Sequence, residues 1–159
     1  ILAIILIFNN TVFTYTNIEI LKNLSYNYNF IKLSMSIPNV VAAVIKSNNH
    51  YLITQRNKNK HLSLKWEFPG GKVEKNETFE EALLREIREE LNIKIKILSK
   101  ITQEKYKDNK IKIILHYYLC TYLSGQLTLN EHENFAWVKK RDLFAYDFAG
   151  GDGNMLSLL

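Results

Sequence analysis

The sequence predicts one α/β domain with a mixed β-sheet, and three observations lead to that prediction. Short β-rich runs lie on both sides of a single strong amphipathic helix near the middle of the chain. The 159 residues, with 47% hydrophobic and 23% charged content, are enough for one core of ordinary size. No internal repeat or low-complexity linker divides the sequence.

The first regular elements are predicted after Met35, where the segment MSIPNVVAAVIK begins. We take Met35 as the start of a domain over residues 35–159. Residues 1–34 are expected to be an extension that is peripheral to the chemistry or not native to the protein. Their apolar run ILAIILIF is too short to span a bilayer and lacks the features of a secretory signal. A remnant membrane anchor is the alternative.

The domain is expected to begin with a β-hairpin and to continue into a helix. VVAAVIK and YLITQR are β-rich runs joined by the turn-forming SNNH. The polar loop NKNKHLSLK then leads to WEFPGGK, whose glycines permit backbone geometries closed to other residues. Thr78 and Glu81 form a capping box, apolar residues recur at helical spacing, and Asn92 is suited to a left-handed C-cap. A helix is therefore predicted over residues 78–91.

The second half of the domain predicts three strands and a short helix. IKIKILSKITQEKY alternates apolar residues with lysine, as a half-exposed strand does. KIKIILHYYLCTYL follows after a turn at residues 107–110 and ends at Ser124 and Gly125. FAWVK is the last predicted strand, and RDLFAY is the short helix.

Charge and cysteine content narrow the function classes. The chain has a formal net charge of +5, but its positive charge is mostly scattered lysine, with only four arginines. Scattered lysine is typical of a solvated surface, so stable nucleic-acid binding is not expected. The single cysteine, Cys120, can form neither an internal disulfide nor a Cys-rich metal site, which fits a cytoplasmic protein. We expect no membrane partner and a monomer or weak dimer.

Acidic residues are concentrated on the predicted helix. Six glutamates and two arginines lie between Glu77 and Glu90. Because residues three and four apart share a helix face, Glu86, Glu89 and Glu90 stand together beside the apolar positions. A solvated helix with salt bridges from Arg85 explains the glutamates of the first turn better than it explains these three. Hard divalent cations bind oxygen ligands, so carboxylates beside a Gly-rich turn predict a metal-assisted phosphate site.

The spacing of this segment resembles the signature of the Nudix hydrolases. Residues 71–93 match G-x5-E-x7-R-E-U-x-E-E-x-G-U, where U is apolar, at every fixed position except the last glycine, which is Asn92. That glycine caps the helix, so the departure concerns capping and not the metal ligands. With WEFPGGKVE and Gln55-Arg56 upstream, the chain resembles the MutT-like branch over residues 37–156. The resemblance implies an α/β/α sandwich with a mixed β-sheet and a loop-helix-loop catalytic motif.

The resemblance also implies a site for Mg²⁺ or Mn²⁺ and roles for individual residues. Glu133 is the alternative to Glu131 as the acid of the loop before the last strand. The implied metal ligands are Glu86, Glu89, Glu90, Glu131 and the backbone carbonyl of Gly70. The implied catalytic residues are Glu89, Glu90 and Glu131, and those that orient the motif are Gly71, Glu77 and Arg85.

The implied substrate is a nucleoside triphosphate. Asp152 aligns with a MutT asparagine that reads oxidised guanine, but an ionised aspartate only accepts hydrogen bonds, so the base is left open. The guanidinium of Arg56 suits a phosphate or a base edge. For His61 the alternative is a loop residue without a role in binding, and for Phe68 the alternative is a residue that fills the core. The implied substrate-binding residues are Arg56, His61, Glu67, Phe68, Pro69, Gly70 and Asp152.

The activity implied by the resemblance is hydrolysis of a nucleoside triphosphate to the monophosphate and pyrophosphate. Cleavage of 8-oxo-dGTP, which serves DNA repair and replication fidelity, is the first expectation. A CTP or dCTP pyrophosphohydrolase is the alternative, because some relatives acting on such pyrimidines carry aspartate at the position of Asp152. A base-recognition module without hydrolysis is a third reading, although such modules usually lack the complete glutamate set present here.

Overall fold

The computed structural model describes residues 4–8, 11–15 and 37–159. The chain divides into two compact units, Ile1–Ser36 and Ile37–Leu159. In the first unit, strands β1 (Ile4–Phe8) and β2 (Thr11–Tyr15) pair in antiparallel fashion. The rest of the expected N-terminal extension lies outside the described residues, and its peripheral role stays a prediction.

The second unit is built on a seven-stranded mixed sheet. The main path has the order β5-β4-β3-β8-β7, while β6 pairs with β3 and β9 pairs with β4. Strands β3 and β8 are parallel, and the other strand pairs are antiparallel. The strands are β3 (Asn39–Ser47), β4 (His50–Gln55), β5 (Trp66–Glu67), β6 (Gly70–Lys72), β7 (Lys94–Lys107), β8 (Lys112–Ser124) and β9 (Asn134–Lys139).

The predicted first hairpin is formed by β3 and β4. Ser47 pairs with His50, so that only two residues make the turn. These residues, Asn48 and Asn49, have φ angles of 45° and 62°. Asparagine enters the left-handed region more readily than most residues, and two residues in that region give the turn whose twist matches that of the strands. The SNNH segment thereby sets the register of β3 against β4.

The predicted helix is present as α1 (Phe79–Leu91), with both of its predicted caps. The Thr78 side chain accepts the Glu81 N–H at 3.2 Å, and the Glu81 carboxylate accepts the Thr78 N–H at 2.8 Å. At the other end, Asn92 is left-handed with φ 55° and donates its N–H to the Arg88 carbonyl at 3.0 Å. Asn92 therefore caps the helix in the place where the family signature has glycine.

Alternate residues of β3 enter two different cores. Val41 and Ile45 pack with the apolar face of α1, whereas Ala42 and Val44 pack in a second cluster with residues near the C-terminus. Side chains of a strand alternate between the two faces of a sheet, so the two clusters lie on opposite faces. A sheet covered by helical segments on both faces is the predicted α/β/α sandwich.

The second face is covered by short helical segments. The predicted RDLFAY helix is a 3₁₀ helix over Lys140–Ala145, and it buries Leu143. It is followed by α2 (Asp152–Met155) and a 3₁₀ turn over Leu156–Leu158, which bury Met155 and Leu156. These segments bring Asp152 to the sheet. No helix in the part of the chain that the structure describes is long and apolar enough to cross a membrane.

Candidate active site

Arg85 joins the glutamates of α1 to the turn that precedes the helix. Its guanidinium contacts Glu77 through Nη2 at 2.7 Å and Nε at 3.1 Å, and Nη1 lies 2.9 Å from Glu86 and 3.2 Å from Glu89. Nη2 also donates to the Lys72 carbonyl at 3.0 Å. The hydrogen bonds to Glu77 and Glu86 raise the pKa of Arg85 above its ordinary value. The positive charge of Arg85 thus compensates three carboxylates, and its hydrogen bonds tie the turn to the helix.

Glu90 is the most deeply buried of the clustered carboxylates. Its residue surface is 5% exposed, and its Oε2 has no hydrogen-bond partner within residues 37–159. Burial, followed by the negative charges of Glu86, Glu67 and Glu131, raises the pKa of Glu90 to about 8. A buried acceptor surrounded by other carboxylates is an environment that favours a bound cation.

The turn into strand β6, at Gly70 and Gly71, approaches both the sheet and the helix too closely for any other residue. Gly70 has a φ of 154°, and a Cβ there would overlap the Val41 carbonyl. A Cβ on Gly71 would overlap the carboxyl group of Glu86. Glycine is therefore required at both positions, once for backbone conformation and once for space. The Glu86 carboxyl that occupies this space has a pKa raised by burial.

A cavity of about 470 Å³ connects this turn with several other segments of the domain. Small-molecule sites typically have volumes of about 300–1,000 Å³, so the cavity is large enough for a nucleotide-sized ligand. Residues that are far apart in the sequence, from Val40 to Asp152, meet in it. The predicted site residues that line the cavity are Arg56, His61, Glu67, Phe68, Gly70, Gly71, Glu86, Glu90, Glu131 and Asp152.

Four of the predicted site residues lie outside the cavity lining: Pro69, Glu77, Arg85 and Glu89. The Pro69 carbonyl instead accepts the Ala43 N–H at 2.8 Å, which fixes the turn to β3. The Glu89 side chain is 60% exposed and is held by Arg85. The predicted roles of Pro69 in substrate binding and of Glu89 as a metal ligand stay predictions.

The loop between β8 and β9 presents Glu131, and not Glu133, to the cavity. Glu131 Oε2 lies 2.5 Å from Lys60 Nζ, and this hydrogen bond lowers the pKa of Glu131. Glu133 faces elsewhere: its Oε1 accepts the Lys58 N–H at 3.1 Å, and its own N–H donates to the Gln55 carbonyl at 2.9 Å. Of the two acids that the sequence left open, Glu131 is the one that lines the cavity, and its role in the chemistry stays a prediction.

Asp152 is a buried carboxyl at the start of α2, with 6% of its surface exposed. Its Oδ2 accepts the Phe68 N–H at 2.9 Å, and its Oδ1 accepts the Tyr117 hydroxyl at 2.6 Å. Burial raises the pKa of Asp152 to about 7, against the opposing effect of the Tyr117 hydrogen bond. Asp152 therefore presents both the protonated and the ionised form to the cavity near neutral pH.

Arg56 and His61 are both held by partners that are acids. Arg56 Nη1 forms an ion pair with Glu67, and Arg56 Nε donates to the His61 carbonyl at 2.8 Å. The Nε2 of His61 lies 2.7 Å from Asp108 Oδ2, in the turn between β7 and β8. This contact, with backbone N–H groups of the same turn, holds the pKa of Asp108 well below its usual range. His61 is thus fixed in orientation by a second loop.

The residues around Glu90 fit a divalent cation, although they do not form a preassembled site. Within residues 37–159, no three acidic, histidine or cysteine side chains are grouped as they would be around an ion. Arg85 accounts for this, because it pairs with Glu86 and Glu89 while Lys60 pairs with Glu131. The unpaired Oε2 of Glu90 and the exclusively oxygen donor set suit a hard ion such as Mg²⁺.

A mixed sheet between helical layers, with a glutamate-rich loop-helix-loop that opens on a nucleotide-sized cavity, is the arrangement that the resemblance to the Nudix hydrolases implies. The model of the NUDIX domain family matches residues 35–159. The chain belongs to the Nudix hydrolase family, in its MutT-like branch. The predicted family, fold and enzyme class are confirmed.

Relatives of known name agree with this assignment. An 8-oxo-dGTP diphosphatase of Buchnera aphidicola subsp. Schizaphis graminum is 33% identical over 122 residues, which cover 77% of this chain and 92% of that protein. A CTP pyrophosphohydrolase of Escherichia coli is 32% identical over 118 residues, covering 74% and 87%. The crystal structure of a MutT NUDIX hydrolase from Burkholderia pseudomallei has a TM-score of 0.72 at 26% identity, covering 78% and 98%.

Several residues that contact the predicted site residues were not singled out from the sequence: Lys60, Asp108, Tyr117 and His132. Lys60 lies among other lysines and asparagines, and Tyr117 lies in a strand that is rich in tyrosine, so no local pattern distinguishes them. Their partners are distant along the chain, 71 residues away for Lys60 and 35 for Tyr117. Only the folded chain brings such pairs together.

Proposed function

We propose that the protein hydrolyses nucleoside triphosphates and deoxynucleoside triphosphates to the monophosphate and pyrophosphate, using Mg²⁺ or Mn²⁺, and that 8-oxo-dGTP is its preferred substrate. One observation carries the proposal. A single cavity is lined both by glutamates of the family signature, Glu86 and Glu90, and by the predicted nucleotide-binding residues Arg56 and Asp152. A base and its phosphates can therefore occupy one continuous space.

In this proposal the cation is held by the carboxylates of Glu86, Glu89, Glu90 and Glu131 and by the Gly70 carbonyl. When bound, a divalent cation neutralises phosphate charge and lowers the pKa of water. The pKa of Glu90, raised by burial and by neighbouring carboxylates, falls when positive charge is placed beside it. Glu90 is therefore the residue whose protonation state should respond most directly to cation binding.

In this proposal two positively charged side chains bind the phosphates, and each of them releases the carboxylate with which it is paired. Lys60 and Arg56 line the cavity, and each is paired with a carboxylate, Glu131 and Glu67 respectively. Phosphate oxygens compete for both cations. Because the hydrogen bond from Lys60 is the main cause of the lowered pKa of Glu131, its loss makes Glu131 a stronger base. Glu131 is then suited to accept a proton from the attacking water.

The choice of base depends on the protonation of Asp152. A protonated carboxyl offers one donor and one acceptor, as asparagine does, and suits oxidised guanine, whose N7–H donor lies beside the O6 acceptor. An ionised carboxylate only accepts and suits the amino group of cytosine. CTP or dCTP is the second candidate, favoured by the aspartate and by the relative that is named as a CTP pyrophosphohydrolase.

The test is a substrate panel with the purified full chain: 8-oxo-dGTP, dGTP, dCTP, CTP, ADP-ribose and a diadenosine polyphosphate. Each is assayed with Mg²⁺, with Mn²⁺ and with EDTA, and the nucleotide, pyrophosphate and orthophosphate products are separated. We expect the monophosphate and pyrophosphate, with the highest kcat/KM for 8-oxo-dGTP. A higher kcat/KM for CTP or dCTP selects the second candidate. Orthophosphate release, or activity that survives EDTA, contradicts the proposal.

A further inference from the structure

We propose that His132 is a positioning residue for the hydrolysis: by binding Glu67, the partner of Arg56, it fixes the loop that carries Glu131. This inference rests on the proposed function and extends it to a side chain that lies outside the cavity lining. In this arrangement one carboxylate connects the nucleotide-binding arginine with the acid that acts on water.

His132 is buried in a way that packing alone does not explain. Its side chain is 4% exposed, and its Nε2 lies 3.3 Å from Glu67 Oε1. Its Nδ1 is buried and has no hydrogen-bond partner among residues 37–159. An unpaired polar nitrogen in the interior costs free energy, so an apolar side chain would fill the same space more favourably. The polar interaction that His132 gains in return is the one with Glu67.

Glu67 is the junction between two parts of the cavity. One carboxylate oxygen, Oε2, forms the ion pair with Arg56, and the other, Oε1, faces His132. The end of β4 brings the segments together, because Thr54 pairs with Glu67 of β5 while Gln55 pairs with Asn134 of β9. The loop that leads into β9 is therefore close enough to Glu67 for His132 to contact its carboxylate.

The backbone on both sides of Glu131 and His132 is already anchored. The Asn130 N–H donates to the Glu90 carbonyl at 3.0 Å, and the Glu133 N–H donates to the Gln55 carbonyl at 2.9 Å. Between these anchors only Glu131 and His132 are left to set the course of the chain. Since Glu131 and His132 share a peptide group, fixing the imidazole against Glu67 limits the directions in which the Glu131 carboxylate can point.

The test compares His132→Leu, which fills the space without a donor, with His132→Gln, whose amide N–H stands near the position of Nε2. In 8-oxo-dGTP hydrolysis we expect His132→Leu to lower kcat by about 10-fold or more with little change in KM, because the acid is displaced and binding is not. His132→Gln should retain kcat within about threefold, since the donor is kept. His50→Leu is the matched control, because the hydrogen bond of the His50 ring is to the Asn48 carbonyl in the β3–β4 turn, away from the cavity lining.

A second pair of measurements separates coupling from packing. Glu67→Ala, which removes both carboxylate oxygens, should lower kcat through His132, and adding His132→Leu to it should cost no further kcat. Hydrogen–deuterium exchange, which needs no substrate, should be faster at residues 130–133 in His132→Leu and unchanged in α1. This readout tests the anchoring even when no nucleotide is turned over.

The outcomes discriminate between this inference and the proposed function. Absence of any nucleotide hydrolysis by the unaltered protein contradicts the proposed function, while faster exchange at residues 130–133 in His132→Leu would still support the anchor. Unchanged exchange in that variant overturns the anchor whatever the activity. Equal losses of kcat in His132→Leu and His132→Gln, or additive losses with Glu67→Ala, show that the imidazole only fills space and also overturn the inference.

Discussion

Tyr117 donates its hydroxyl group to Asp152 across 2.6 Å, and both residues are buried. The Phe68 N–H occupies the other carboxylate oxygen at 2.9 Å. Each oxygen of Asp152 thus has one donor supplied by the protein. What remains for a ligand is one further lone pair on each oxygen or, when the carboxyl is protonated, one O–H donor and one acceptor.

The first prediction concerns the pH dependence of base choice. The pKa of Asp152 is about 7, so the protonated fraction falls steeply between pH 6 and pH 8.5. We expect the ratio of kcat/KM for 8-oxo-dGTP to that for CTP to fall by at least about tenfold over this range. In Asp152→Asn, which always offers a donor and an acceptor, the ratio should stay constant. Steady-state kinetics with both substrates checks this, and a ratio that varies equally in both proteins contradicts it.

The second prediction is that Glu90→Gln stabilises the protein and inactivates it. The folded-state pKa of Glu90 is about 8, against an ordinary value of 4.5. At Glu90 the folded protein therefore binds more protons than the unfolded chain between these values, so the contribution of this residue to stability falls as pH rises from 4.5 to 8. Removing the charge should raise the free energy of unfolding by about 2 kcal/mol at pH 9 without divalent cations, and by little at pH 4.

Activity and cation binding should fall in this variant, although its stability rises. If Glu90 holds the cation as proposed, its loss removes several kcal/mol of charge stabilisation, or about 100-fold or more in kcat. Thermal unfolding with and without Mg²⁺ should show that the cation raises the Tm of the unaltered protein much more than that of Glu90→Gln. The control is Glu80→Gln, an exposed glutamate on the same helix. Full Mg²⁺-dependent activity in Glu90→Gln would disprove the role of Glu90.

The third prediction uses the space beside Gly71. Gly71→Ala places a methyl group where the Glu86 carboxyl lies, so either the turn or the glutamate has to move. We expect kcat to fall by about 100-fold, the scale associated with a displacement of about 1 Å at a catalytic centre. Gly153→Ala is the matched control, because its added methyl would meet only the Phe148 Cβ at 3.9 Å. Comparable kinetics of the two variants would show that the position of Glu86 is not critical.

The fourth prediction concerns stability alone. Asn92 closes α1 with a φ of 55°, a conformation that costs most residues about 1–2 kcal/mol. Asn92→Ala should therefore lower the free energy of unfolding by about 1 kcal/mol, while Asn92→Gly, which restores the family signature, should match or exceed the unaltered protein. Urea unfolding measures both. A less stable Asn92→Gly variant would mean that the asparagine side chain contributes contacts beyond its backbone conformation.

The features that the sequence predicted correctly are those encoded over short distances. Thr78 and Glu81 are three residues apart, and they form the capping box at the start of α1. The adjoining asparagines Asn48 and Asn49 make the tight turn of the first hairpin. Helical period, capping residues and turn residues act within one or two turns of backbone, so a local pattern is sufficient to identify them.

Contacts between distant segments could not be predicted in the same way. The Lys60–Glu131 ion pair and the Tyr117–Asp152 hydrogen bond depend on how loops cross the end of the sheet. The pairing of β7 with β8 also shifts register, for instance between Ile97 and Ser99, although the lysine alternation suggests a regular strand. Such irregularities are decided by tertiary packing, which overrides local propensity.

Arg85 has one more consequence for the way this enzyme is assembled. Its guanidinium already pairs with Glu77, Glu86 and Glu89. The negative charge of these glutamates is therefore compensated by a side chain of the protein when no metal ion is bound. Folding of α1 then does not have to wait for an ion from solution, and a chelator should silence the enzyme without unfolding it. Under the proposed function, the protein would fold in ion-poor surroundings and become active later, when a divalent ion competes with the guanidinium for the same oxygens.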